Sequence, residues 1–469
     1  MEEFSQSLTR FVARILGGDG RHENLHRLTG GANMESWSFD YAGQGYVLRR
    51  SPSAELMAGR TYGHEVEAAI VRAAFAAGVK APEIVGEIEP PDALGTGFAM
   101  LRVEAEVNPA KILANPVPSL LADLARELAS IHAVPLASLP DIPSPDAISL
   151  VAELKARFVE YGGDRPVMAL AFKWLEDHIP APVAPVLLHG DFRMGNIMAD
   201  TNGLAAVLDW ELAHLGDRHQ DLAFGCINSW RFGYIDRPAF GIGVLADFWA
   251  AYARESGVAA DPARFRWWLV YSTLWWGICC LQMAEIWRSG LDASLERAVI
   301  GRRASETEVD LLMLLEEDAP EIEKHRHAEP VSPGGDFVPA SNFAAPEGIN
   351  TLRQFQGDDE GKIRVGEPSA SELLEAISRW IEADIKPSAQ GRNRFMVAVA
   401  LNAIGMLRRE AENGVDIHDK ALSDELQTGA KSLATPGLLS KLRHDALAKL
   451  AADQPKYSAL AKARAIWWA

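Results

Sequence analysis

Strand-like runs broken by turn formers fill the first hundred residues. His26-Arg27-Leu28 leads into Thr29-Gly30-Gly31-Ala32-Asn33, and residues 36–41 and 46–50 flank Ala42-Gly43-Gln44-Gly45, a pattern that predicts a β-hairpin. From residue 64 to 77 the spacing of Val66, Ile70, Val71 and Phe75 is helical, and residues 83–88 and 97–103 are strand-like again. A small antiparallel sheet with one helix inserted after the third strand is expected. Beyond Pro116 the period changes: Leu120, Leu121, Leu124, Leu128 and Ile131, then Leu150, Val151, Leu154 and Phe158, recur at helical intervals. Within this helical stretch Val186-Leu187-Leu188 and Ala205-Ala206-Val207-Leu208 predict two brief neighbouring strands, each ending in a polar cluster.

Residues 267–281 are the most apolar segment, but at about 15 residues they fall short of the roughly 20 that a membrane span needs. A buried, Trp-rich helix is expected there. Between about Lys324 and Ser369, Pro330, Pro333, Gly334, Gly335, Pro339, Pro346 and Gly348 stand among polar residues without periodicity, which reads as a linker. Leu373, Leu374, Ile377, Trp380 and Ile381 then mark an amphipathic helix with Ser369 or Ser371 as N-cap, a second helix spans about 392–412, and others follow. The division this implies is 1–103, 104–325, a linker 326–368 and an all-helical segment 369–469.

The chain has 469 residues, with 64 Asp and Glu against 46 Lys and Arg, a formal charge of −18. That field repels nucleic acids and anionic membranes, so neither is expected as a partner. Only Cys226, Cys279 and Cys280 occur, too few for a disulfide framework and without C-x-x-C spacing. A cytoplasmic setting is expected, and Met1-Glu2-Glu3-Phe4 carries no secretory signal pattern.

The chemistry concentrates at the two predicted strand ends. One carries His189-Gly190-Asp191-Phe192-Arg193-Met194-Gly195-Asn196, the other Leu208-Asp209-Trp210-Glu211. Phosphoryl transfer needs a carboxylate to receive the proton of the attacking hydroxyl and metal ions to neutralise phosphate oxygens. Asp191, Asn196 and Asp209 supply hard oxygen donors of the kind magnesium prefers. Singly each reads more readily as a turn residue than as a catalyst, since Asp and Asn favour strand ends; together they favour chemistry.

These motifs resemble those of the aminoglycoside phosphotransferase and choline kinase-like enzymes, a resemblance that covers about residues 20 to 320. It implies an α+β, two-lobed protein-kinase-like fold: a small antiparallel sheet lobe, a mainly helical lobe, then an all-α domain. By this resemblance Asp191 is the catalytic base, Asn196 and Asp209 hold magnesium, and His189 and Gly190 shape the loop. Asp217 and Asp221 match a pattern that scaffolds the active site, where the family commonly has Pro at the position of Arg218.

Nucleotide binding asks for backbone amides near the phosphates, which Gly30 and Gly31 would allow, although a glycine pair after a strand is also an ordinary turn. Arg49 stands in the third strand where kinase-like folds carry a lysine; an exposed arginine at a strand end is the plain alternative. Glu65 is its matching carboxylate by resemblance, with Glu67 as local rival and a solvated helix face as the bland reading of both. Backbone groups near Leu101 and Val103 would meet adenine. His132 reads as a core histidine, and His214, Asp217, His219 and Asp221 match no metal signature.

The expected activity is ATP- and Mg-dependent phosphorylation of a small-molecule hydroxyl, with ATP and GTP not distinguished. Leu-Arg-Arg in the third strand and Leu-Asp-Trp-Glu resemble phosphotransferases associated with acyl-CoA metabolism, which implies a hydroxyacyl-CoA acceptor. The net acidity argues for a cationic aminoglycoside or other antibiotic instead. A catalytically silent nucleotide-binding scaffold is a third reading. The last hundred residues resemble a helical domain that accompanies such enzymes, for which self-association or docking of a partner enzyme is expected.

Overall fold

A computed structural model of the protein describes residues 2–28, 34–53, 57, 60–325, 370–413 and 416–468. The expected linker 326–368 and the pair Gly30 and Gly31 lie outside the described residues.

The chain opens with a helix, α1 (Glu2–Leu16), that the strand-like reading of this region did not anticipate. Phe4, Leu8, Phe11, Val12 and Ile15 recur at helical spacing on one face and pack against Trp37, Phe39, Leu48 and Ala99 of the sheet. That sheet has five antiparallel strands, β1 (Glu23–Arg27), β2 (Glu35–Tyr41), β3 (Gln44–Ser51), β4 (Ile84–Glu87) and β5 (Thr96–Leu101), in the order β1-β2-β3-β5-β4. The expected hairpin joins β2 to β3, its loop made by Ala42 and Gly43, both at positive φ. The inserted helix α2 (His64–Ala76) follows β3, as the pattern predicted. Its buried face is His64, Glu67, Ala68, Ile70, Val71 and Ala74, whereas Phe75 is exposed.

The helical lobe contains α3 (Pro109–Ala114), α4 (Leu120–His132), α5 (Ala147–Glu160), α6 (Pro166–Asp177), α7 (Arg218–Phe224), α8 (Leu245–Ser256) and α9 (Pro262–Arg288). Side-chain oxygens of Asn108, Asp146 and Asp217 cap the first turns of α3, α5 and α7 by accepting from backbone N–H groups. Four short strands interrupt these helices: β6 (Val186–Leu188), β7 (Ile197–Asp200), β8 (Gly203–Val207) and β9 (His214–Gly216). The two strands expected to be neighbours are not hydrogen-bonded to each other. β6 pairs with β9, and β7 pairs with β8, in separate two-stranded sheets. The partners β7 and β9 are too short to leave a clear alternating pattern. Helix α9 buries Trp267, Trp268, Val270, Leu274 and Ile278, and among the described residues no helix is long and apolar enough to cross a membrane.

The chain divides into two compact units, Met1–Asp164 with Met168–Cys279, and Arg165–Val167 with Cys280–Ala469. The second contains α10 (Leu295–Gly301), α11 (Ala304–Leu315), α12 (Glu321–Lys324), α13 (Ala370–Trp380), α14 (Gly391–Asn413), α15 (Lys420–Gln427), α16 (Leu438–Asp453) and α17 (Ser458–Trp467). α11 packs on α16 and α17, and Val309, Leu311, Leu312 and Leu315 are buried together with Leu439, Leu442, Leu447 and Leu460. Buried charges in this unit are matched: Arg443 meets Glu316 at 2.7 Å and Arg165 meets Glu308 at 3.1 Å. The three cysteines, Cys226, Cys279 and Cys280, are buried and outside any disulfide.

Candidate active site

The loop after β6 is fastened from beneath. Asp221 on α7 is fully buried and accepts from the backbone N–H groups of His189 at 2.8 Å and Gly190 at 2.9 Å, while His132 Nε2 lies 3.3 Å from its Oδ2. Burial alone would raise this carboxyl, but these hydrogen bonds and nearby histidines hold it below the usual carboxylate range. Gly190 has φ +80°, and a Cβ there would lie 2.2 Å from the Leu212 carbonyl oxygen, so only glycine fits. The imidazole of His189 bridges the two loops, with Nδ1 accepting from Asp191 N–H at 3.2 Å and Nε2 donating to Leu208 O at 3.1 Å. Burial keeps this histidine below its ordinary pKa, hence neutral. This histidine, in place of strand pairing, joins the ends of β6 and β8.

Asp191 is held at both oxygens. Arg193 Nε donates to Oδ1 at 2.7 Å and Asn196 Nδ2 donates to Oδ2 at 2.6 Å, with a further bond from Nδ2 to the Asp191 carbonyl at 2.9 Å. Burial lifts the Asp191 carboxyl above its ordinary value, and the Arg193 guanidinium opposes the rise without cancelling it. Arg193 itself lies over the Trp230 ring at 4.5 Å. The backbone of Asn196 accepts from Leu208 N–H at 2.8 Å, which brings the second loop alongside. There Asp209 adopts φ +68°, a left-handed conformation that a non-glycine residue holds only when its surroundings enforce it. Its Oδ1 accepts from Arg49 Nη2 at 2.7 Å. Burial pushes Asp209 up, but Arg49 more than offsets this, and the carboxyl stays below the usual range.

From the sheet lobe, Arg49 on β3 also reaches Glu211 at 2.9 Å and Glu67 at 3.4 Å. The expected partner Glu65 is exposed, and Glu67 takes its place because it shares the buried face of α2 with His64, Val71 and Ala74. Leu101 closes β5, and its N–H already donates to Glu83 O at 2.9 Å; Val103 stands two residues beyond the strand. Arg60, Arg193 and Glu211 carried no assigned role in the sequence reading. Arg193 and Glu211 lie inside the two motifs and were within reach, whereas Arg60 has no local signal at all.

With Nδ2 of Asn196 turned to Asp191, its Oδ1 remains as a ligand atom, and with Asp209 it offers an amide and a carboxylate oxygen, a set suited to magnesium. Asp217 is otherwise engaged, meeting Arg264 at 2.7 Å, Trp268 at 3.0 Å and His219 at 2.8 Å.

The profile of the phosphotransferase enzyme family matches residues 24–268, the stretch that holds both motifs and the sheet. The chain belongs to this family. Over 239 residues it is 29% identical to "Acyl-CoA dehydrogenase family member 10" of Mus musculus, an alignment covering 47% of this chain and 22% of that protein. It is 22% identical to "Probable acyl-CoA dehydrogenase IBR3" of Arabidopsis thaliana over 446 residues, covering 83% of this chain and 52% of that one. The chain thus spans between about a fifth and a half of these relatives. Among solved structures, a candidate aminoglycoside phosphotransferase from Ralstonia eutropha superposes with a TM-score of 0.53 at 21% identity, covering 66% of this chain and 97% of its own. That likeness shows the two-lobed kinase-like fold of the family.

Proposed function

We propose that the protein is an ATP- and Mg-dependent kinase of a small hydroxylated molecule, and that the acceptor is a hydroxyacyl-CoA. One observation carries this reading: Asp191, Asn196 and Asp209 converge through hydrogen bonds from two separate loops, with Arg49 arriving from the sheet. In this reading Asp191, oriented by Arg193 and Asn196, aligns the acceptor hydroxyl and takes its proton as the hydroxyl oxygen bonds to the γ-phosphorus of ATP, whose bond to the bridging oxygen breaks to release ADP. Asn196 and Asp209 hold magnesium, which when bound neutralises phosphate oxygens. Arg49 adds a second positive group for the phosphates, and the loop with Gly30 and Gly31 gives its backbone to them. Backbone near Leu101 and Val103 receives the base. Such catalysis is mostly positioning and electrostatics, so few groups suffice.

The acyl-CoA acceptor is supported by the names of the relatives and by Arg193, a cation directly beside Asp191 that disfavours a polycationic acceptor at this spot. The overall charge of −18 favours an aminoglycoside instead, but net charge says little about one pocket. By role, 1–103 is the nucleotide lobe, 104–325 the catalytic lobe, and 369–469 an accessory segment reached through 326–368. The exposed apolar residues Leu373, Ile377 and Trp380 support its use in self-association or in docking a partner enzyme. Three cysteines that form no disulfide suit a cytoplasmic setting. Incubation with ATP or GTP and each acceptor class, followed by mass spectrometry, tests the assignment. A phosphorylated hydroxyacyl-CoA is expected; phosphorylated antibiotic alone would transfer the assignment to that class, and nucleotide binding without any product would favour the silent scaffold.

A further inference from the structure

Four side chains close a ring of alternating charge next to Asp209. Arg49 Nη2 lies 2.9 Å from Glu211 Oε2 and its Nε 3.4 Å from Glu67 Oε1. Arg60 reaches the same two glutamates, Nη1 at 3.4 Å from Glu67 Oε2 and Nη2 on Glu211 Oε2. Three corners come from the sheet lobe and the fourth from the loop after β8. Glu67 is the buried corner, its side chain only 1% exposed, and Arg49 and Arg60 are mostly covered, whereas Glu211 is 33% exposed at the rim.

Arg49 also grips Asp209, so to face a nucleotide phosphate it must release Asp209 and Glu211. Were it the only cation present, its departure would strand Glu67 as an uncompensated buried charge, which is strongly unfavourable, and would leave the part-exposed Glu211 beside it without a partner. Arg60 removes that obstacle, because its two terminal nitrogens already touch both glutamates. Two details agree. The hold of Arg49 on Glu67 is loose, since its buried Nε makes no hydrogen bond despite the 3.4 Å approach. The segment carrying Arg60 is anchored, with the Tyr62 hydroxyl 3.0 Å from the carbonyl oxygens of both Trp210 and Ala213.

We propose that Arg60 is a positioning residue that keeps Glu67 and Glu211 neutralised so that Arg49 is free to turn to a nucleotide phosphate. This rests on the nucleotide-binding reading of the site.

The test is calorimetric titration of the full chain with ATP in the presence of magnesium, without acceptor, alongside thermal melts that confirm folding. Arg60→Met is expected to weaken ATP binding by about tenfold, the equivalent of a modest charge penalty. Arg60→Lys, which keeps the charge, should lie between the two. Adding Glu211→Gln to Arg60→Met removes one stranded carboxylate and should recover part of the lost affinity. Affinity of Arg60→Met within twofold of wild type would overturn the proposal. So would a double variant no tighter than Arg60→Met, which would mark Arg60 as a direct phosphate ligand or a structural brace. If Arg60→Met does not fold, Arg60→Lys against Arg60→Lys with Glu211→Gln decides by the same criterion. Wild-type protein that binds no ATP would instead defeat the nucleotide reading, so the two failures are separable.

Discussion

In the proposed mechanism turnover depends on Asp191, whose two oxygens are already held by Arg193 and Asn196. Asp191→Asn keeps the shape and removes the proton acceptor, so kcat should fall by about 10²–10⁴-fold in a coupled assay while ATP affinity stays within experimental scatter. A second expectation concerns acid stability. Burial, and then the charges of Arg60 and Arg49, push His64 down to about 4. Buried His189 is shifted the same way. Below the ordinary value of 6.5 the unfolded chain takes up these protons and the native chain does not, so stability should decline from about pH 6.5 toward about pH 4. Urea midpoints across that range would show it, and His64→Asn should flatten the slope. At this scale Asp191 and Asn196 could be paired from the sequence because both lie within one motif and hydrogen-bond to each other, whereas Asp209 meets Arg49 from 160 residues away. Glu67 was ambiguous because two glutamates compete within one helical turn, and only the buried face of α2 chooses between them. Arg60 was invisible, since its partner Glu211 lies 151 residues away.

Among the elements, α1 lays its apolar face on the five-stranded sheet. Phe11 is fully buried against the outer sheet, so Phe11→Ala should cost about 3–5 kcal/mol in chemical denaturation, as for other large core truncations. The spacing of Phe4, Leu8, Phe11, Val12 and Ile15 signals a helix, yet strand patterns immediately after it dominate the reading of the region. The β2–β3 hairpin was legible because its turn residues sit between two runs of strand formers. The pairing of β6 with β9 was not, because three-residue strands carry too little periodicity to specify a partner.

For the whole molecule, a change in composition along the chain does not say which helices pack together. The compact units part at Cys279–Cys280, inside α9, where composition gives no hint. α11 precedes the composition shift in sequence and yet packs on α16 and α17, which follow it. Deleting the residues after 335 would strip the cover from Leu311, Leu312 and Leu315. The truncated chain should therefore aggregate, as measured by light scattering, rather than persist as a well-behaved shorter enzyme.

The three sulfhydryls sit inside the molecule, and burial pushes Cys226 up to about 12 and Cys279 to about 11. A maleimide dye needs both access and a thiolate, so the native protein should be nearly inert to it. Each label acquired then records an excursion out of the closed state, and the speed of modification becomes a stopwatch for breathing that needs no engineered reporter.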